Sequence, residues 1–120
     1  VSLTTTRQAL AAALKHSSYS VYAYPNETMI APAVVIVPGS PYVNIVNSVT
    51  ATANFQITLM VINNDNQAAL VNLEKMIETV YKKLPDWVSV GDFSQPTNAE
   101  VGSTEYLTSD LVITQYITKE

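Results

Sequence analysis

The sequence predicts an α+β fold: a mostly antiparallel or mixed β-sheet with two helices, about residues 5–16 and 66–84, packed on one face. Two observations carry this. The two helix-forming stretches are separated by several strand-like segments, without the regular strand–helix alternation of a doubly wound fold. Those segments are also joined by short connections, which favours neighbouring strands in one sheet. A length of 120 residues suits one domain with one core.

Each element has its own warrant. In "TTTRQALAAALKH" the threonines offer an N-cap, Ala and Leu have high helix propensity, and Lys15 and His16 suit the negative C-terminal end. Leu10 and Leu14 then share one face. "YSVYAYP", residues 19–25, alternates as a strand that Pro25 ends, and residues 26–32 read as a loop. Ala33–Val37 is apolar at every position, as expected of a covered strand. Pro38-Gly39-Ser40-Pro41 reads as a rigid turn, because proline fixes φ and glycine frees it. Residues 53–62 are the clearest strand, with Phe55, Ile57, Leu59 and Val61 alternating against Gln56, Thr58, Met60 and Ile62.

"NNDNQAALVNLEKMIETVYKKL" is the clearest helix. Asn64 or Asp65 can cap it, Leu70, Leu73, Ile77, Val80 and Leu84 form its stripe, and Pro85 stops it. Glu78 and Lys82 make a favourable pair one turn apart. At roughly 28 Å it can lie along the strand before it. Residues 86–94 suggest a short strand with Gly91 as a possible bulge. "QPTNAEVGSTE" reads as a polar, flexible connection. Residues 106–118 close the chain as a long strand, with Leu111, Ile113 and Ile117 alternating against Val112, Thr114 and Tyr116.

Composition excludes several function classes. Hydrophobic residues make up 48% of the chain and charged residues only 13%, so Thr, Ser and Asn must coat much of the surface. That composition favours a chain that oligomerises. The net charge is −4, and Arg7, Lys15, Lys75, Lys82, Lys83 and Lys119 form no basic stripe for phosphates. Cysteine is absent, which removes disulfides and thiolate metal sites. No apolar run approaches a membrane span and no signal-peptide pattern opens the sequence, so a soluble protein made inside the cell is expected.

No catalytic, cofactor-binding or metal constellation emerges. His16 is the single histidine, and its neighbours Ser17 and Ser18 are close in sequence without an orienting acid. A role at the helix end is the expectation. "NNDNQAALVNLE" superficially resembles a calcium loop ending in Glu74, but lacks the first acidic ligand and the turning glycine. Pro-Gly-Ser-Pro lacks the further glycines and Lys-Ser/Thr of a phosphate loop. Asn26-Glu27-Thr28 matches a glycosylation pattern, and with no secretory signal visible chance is the expected explanation. Asp110 is an acid inside the last strand, where aspartate is disfavoured; it is either an edge position or a charge facing another subunit or a lumen. The seven tyrosines serve the core or an interface. Tyr22, Tyr24, Tyr42 and Asp110 are the candidate interface residues.

In layout, nearly the whole chain resembles the tail-terminator proteins of long-tailed, siphovirus-type bacteriophages, particularly those of actinobacteria. The resemblance rests on order: "SLTTTRQALAAAL", then "APAVVIVPGSPYV", then "FQITLMVINNDNQAALVNLEKMIETV", "LPDWVSVGDFSQP" and "EYLTSDLVITQYI". It implies a virion structural protein with no catalytic residue, assembled in the host cytoplasm. Such a subunit forms a homo-hexameric ring at the tail–neck junction. The ring caps the major tail tube protein, ends its polymerisation and presents a docking face to the head-completion (stopper) protein. Phage DNA would pass through the lumen without specific binding. Residues 26–32, 43–53 and 95–105 are the expected contact loops. The alternatives are a stopper or other head–tail connector, and a small non-catalytic protein-interaction domain.

Overall fold

The computed structural model describes residues 3–24, 30–101 and 103–118. In chain order the elements are α1 (Leu3–Leu14), β1 (Ser20–Tyr22), β2 (Ala33–Ile45), β3 (Thr50–Ile62), α2 (Asn66–Lys83), β4 (Ser89–Phe93), β5 (Thr97–Val101) and β6 (Thr104–Thr118). Six strands form one mixed sheet in the order β1-β2-β3-β6-β4, with β5 also on β6. Only β1 and β2 run parallel; the remaining pairs are antiparallel. The expected α+β fold is therefore present.

Strand alternation decides which face is covered. Ala53, Phe55, Ile57, Leu59 and Val61 of β3 point to one side, opposite Ile113, Leu111 and Leu107 of β6 and Ile36 and Val34 of β2. On this side lie Leu10 and Leu14 of α1 and Ala69, Leu73, Met76 and Val80 of α2. Both helices thus cover one face. Burying each of these large side chains contributes about 1.5–3 kcal/mol relative to exposure. The other face carries Thr52, Asn54, Gln56, Thr58 and Met60 of β3, and Thr108, Asp110, Val112 and Thr114 of β6.

Asp65 caps α2: its backbone is extended and its side chain accepts from the Gln67 amide at 3.3 Å. Leu84 turns extended ahead of Pro85, which ends the helix as the sequence requires. The buried stripe sits slightly differently from the expected one. Ala69 and Met76 are buried, while Leu70 is 41% exposed. A small residue at 69 lets the helix approach the sheet, and the larger Leu70 is turned outward.

Helix α1 begins and ends earlier than the expected 5–16. The threonines lie inside it, with Thr6 buried, and Lys15 and His16 lie beyond its end. Here a tertiary contact outweighs the local charge signal: the buried Tyr19 hydroxyl donates to the Leu14 carbonyl at 2.6 Å and satisfies an end group of the helix. The expected 19–25 strand shortens to β1. Tyr19 sits in an isolated bridge with His16, and Tyr24 lies past the strand.

Pro38-Gly39-Ser40-Pro41 is not a turn between strands but an irregularity within β2. Pro38 pairs with Phe55 and Val43 with Ala53, so β2 carries extra residues against a continuous β3. Gly39 allows this, because a Cβ there would lie 2.7 Å from the Asn54 carbonyl oxygen. Asn54 then closes the bulge by donating from Nδ2 to the Pro41 carbonyl at 2.9 Å. The expected bulge at Gly91 is present, with Val90 opposite Ile113 and Phe93 opposite Leu111.

Residues 95–105 also depart from expectation. They contain β5, which pairs with residues 104–108 of β6, while β4 pairs with residues 111–114. Both therefore share the outer edge of β6. Ser94 fastens the changeover: its amide donates to the Asp110 carbonyl, its hydroxyl accepts from the Asp110 amide, and its carbonyl accepts from the Ser109 hydroxyl. The polar sequence of β5 becomes a strand because the long edge of β6 offers unpaired backbone.

Candidate functional site

The four candidate interface residues fall on two sides of the sheet. Tyr24 and Tyr42 converge with Arg7 of α1 on the helix-covered side. The Arg7 guanidinium donates to the Tyr42 hydroxyl at 2.7 Å and lies 4.7 Å from the Tyr24 ring centre. It also lies 5.8 Å from the Phe55 ring, against which Tyr42 packs edge-on at 5.7 Å. Two aromatic faces and one hydroxyl thus hold a partly buried cation, whose buried Nε has no hydrogen-bond partner among the described residues. Tyr42 is largely a packing residue, whereas Tyr24 remains 47% exposed.

Tyr22 and Asp110 belong to the opposite face. Tyr22 pairs with Val35, Val35 with Thr58, and Thr58 with Asp110, so the four form one row across β1, β2, β3 and β6. Thr58 donates its hydroxyl to the Asp110 carboxylate at 2.8 Å, and the Tyr22 hydroxyl accepts from the Ile30 amide at 3.0 Å. Asp110 is half-buried, paired with Thr58 of β3 on one side and hydrogen-bonded to Ser94 in the gap between β4 and β5 on the other, so it does not lie on an open edge. Its carboxylate is held by a neutral hydroxyl.

The remaining candidates for chemistry resolve into structural roles. Nδ1 of His16 accepts from the Ser18 amide at 3.1 Å and lies 2.7 Å from its hydroxyl, closing an exposed turn. The histidine ring stacks on Tyr19, 5.6 Å between centres. The stretch with calcium-loop character is the capped start of α2, and among the described residues no group of three His, Asp or Glu is placed to hold a metal. The Asn26-Glu27-Thr28 triplet and most of the 26–32 loop lie outside the described residues.

Two surface features escape sequence reasoning. The first is the tip of the β2–β3 hairpin within the expected 43–53 contact segment, where Ile45 is 75%, Val46 58% and Val49 59% exposed. Asn47 shapes it: its Oδ1 accepts from the Val49 and Thr50 amides, while the Val46 and Asn47 amides donate to the Thr50 carbonyl. A sequence signal exists, since no charged residue or histidine occurs from residue 28 to residue 64. The second is a groove of about 600 Å³ at the other end of the same strands. Its apolar lining includes Pro32, Val61, Ile62 and Met76, and Lys75, Glu78 and Lys82 of α2 also line it.

The surface thus presents an uncharged apolar tip at one end and a groove of mixed lining at the other. Among the described residues no helix is long and apolar enough to cross a membrane. No protein-family model matches the chain, and no curated protein matches it significantly.

Proposed function

We propose that this chain is a virion structural protein of the tail-terminator type, working as a subunit of a homo-hexameric ring that caps a phage tail tube and offers a docking face to the neck. The observation that supports this best is the bare apolar tip at the end of a long uncharged hairpin. Exposed aliphatic side chains clustered at a hairpin tip mark a surface that is covered in use. A ring subunit needs such a surface, because each copy must present one patch and receive another. The low overall charge fits the same reading, since much of the surface would be buried between neighbours. The net negative charge suits a lumen through which DNA slides without adhering.

The test is removal of the gene from a phage that encodes this chain. Tubes of uncontrolled length and heads without tails are expected by electron microscopy. Tails of normal length beside leaking heads would instead assign the head-completion role, and fully infectious particles would overturn both.

A further inference from the structure

We propose that the β2–β3 tip of one copy docks into the groove between α2 and the start of β2 on the next copy, so that head-to-tail insertion is the contact that builds the assembly. This rests on the ring reading and names the surfaces it would use. The tip and the groove terminate the same two strands. Residues 46–49 join the end of β2 to the start of β3, while Ala31 and Pro32 precede β2 and Val61 and Ile62 end β3. About twelve strand residues, or roughly 40 Å, separate them in a molecule 50 Å long. Two different surfaces at opposite ends of one chain can meet head to tail in the heterologous contact that cyclic rings above the dimer require; a mass fixed at the dimer would show reciprocal two-fold exchange instead and overturn the ring.

The chemistry of the two surfaces is complementary. The tip presents Ile45, Val46 and Val49, which match the apolar lining of Pro32, Val61, Ile62 and Met76. Four tip amides are consumed inside the turn, and the carbonyls of Asn47 and Ser48 accept no hydrogen bond among the described residues. The tip therefore offers acceptors. The groove supplies donors in Lys75 and Lys82, with Glu78 beside them. The tip carries no carboxylate or ammonium group, so insertion brings no charge of its own into the groove.

The absence of native cysteine makes the test direct. Ser48→Cys places one thiol on the tip and Asn72→Cys one in the groove. The two purified variants are treated with a short bismaleimide, separately and mixed, from micromolar to millimolar concentration, and mass is followed by light scattering. Cross-linked dimer in the mixture alone, lost at least tenfold when Val46→Asp is added to the tip variant without a change in melting temperature, is the expected result. Cross-linking of Ser48→Cys with itself would overturn the head-to-tail contact. A ring of fixed mass without a mixed cross-link would overturn the contact and leave the ring standing. Mixed cross-links in open-ended chains would keep the contact and overturn the ring. A monomer at every concentration without cross-links would overturn the contact in solution, and the gene-removal test would then decide the ring separately.

Discussion

Replacing Gly39 with alanine tests the account of β2 most sharply. A Cβ at this position would meet the Asn54 carbonyl oxygen at 2.7 Å and its carbonyl carbon and Cβ at 2.9 Å, where ordinary contact begins at 3.4 Å. Two of these atoms are backbone of β3 and the third is fixed to it, and β3 is hydrogen-bonded to β2 on one edge and β6 on the other, so they cannot swing aside. Relief must come from the bulge, at the expense of the bond from Asn54 Nδ2 to the Pro41 carbonyl. Overpacking of this kind costs about 1–3 kcal/mol, and losing the bond adds about 1 kcal/mol. Gly91→Ala is the internal control. Its Cβ would lie 3.1 Å from the Val112 carbonyl oxygen, at the bulge of the edge strand β4, which can move outward. Urea denaturation followed by circular dichroism should therefore show a midpoint lowered clearly for Gly39→Ala and by less than about 1 kcal/mol equivalent for Gly91→Ala, with similar slopes. Equal effects, or a larger one at Gly91, would refute the claim that close approach to β3 is what demands glycine at 39.

Three further substitutions probe other joints. Tyr19→Phe removes the hydrogen bond to the Leu14 carbonyl and should cost about 1–3 kcal/mol in chemical denaturation, since it leaves a buried acceptor unpaired. Burial also raises the Tyr19 pKa above its ordinary value, so the unfolded chain loses this proton first. Its contribution is full below about pH 10 and declines as pH rises further, a decline that a pH series should show weakened in Tyr19→Phe. Asp65→Ala deletes the cap of α2 and should lower stability by about 0.5–2 kcal/mol, with Asp65→Ser recovering most of it. Glu100 and Glu105 face each other across β5 and β6; Glu105→Lys should stabilise by about 0.2–1 kcal/mol, and the gain should shrink in high salt.

What the sequence made legible was whatever local periodicity controls. The alternation of 53–62 and 106–118 matches β3 and β6, the central pair of the sheet. Asp65, the stripe through Leu73 and Val80, and Pro85 define α2. What escaped was decided by partners distant in the chain. Pro-Gly-Ser-Pro has every local mark of a turn, yet the continuous β3 and the Asn54 side chain hold it in the ladder. "TNAEV" shows no clear strand signal and becomes one only beside β6. The candidate residues followed the same division. Tyrosines could be singled out by type, but Tyr42 joining Arg7 and Tyr22 sharing a row with Asp110 depend on register, which one displaced residue would reverse.

The outer edge of β2 shows how a chain can expose an apolar tip and still limit unselective strand pairing. Among the described residues β1 covers this edge only opposite residues 33–35, and no other strand pairs along the rest of it. Pro38 and Pro41 lack the amide donors that a docking strand would need, and the bulge between Pro38 and Val43 breaks the regular spacing. Backbone pairing along β2 is thereby discouraged just where it would be least selective. The aliphatic side chains at 45, 46 and 49 remain bare beyond that guard. Contact through them depends on the shape of what receives them, and backbone pairing does not. An edge that accepts any strand would propagate without limit, whereas a tip that fits one groove at one angle can close on itself.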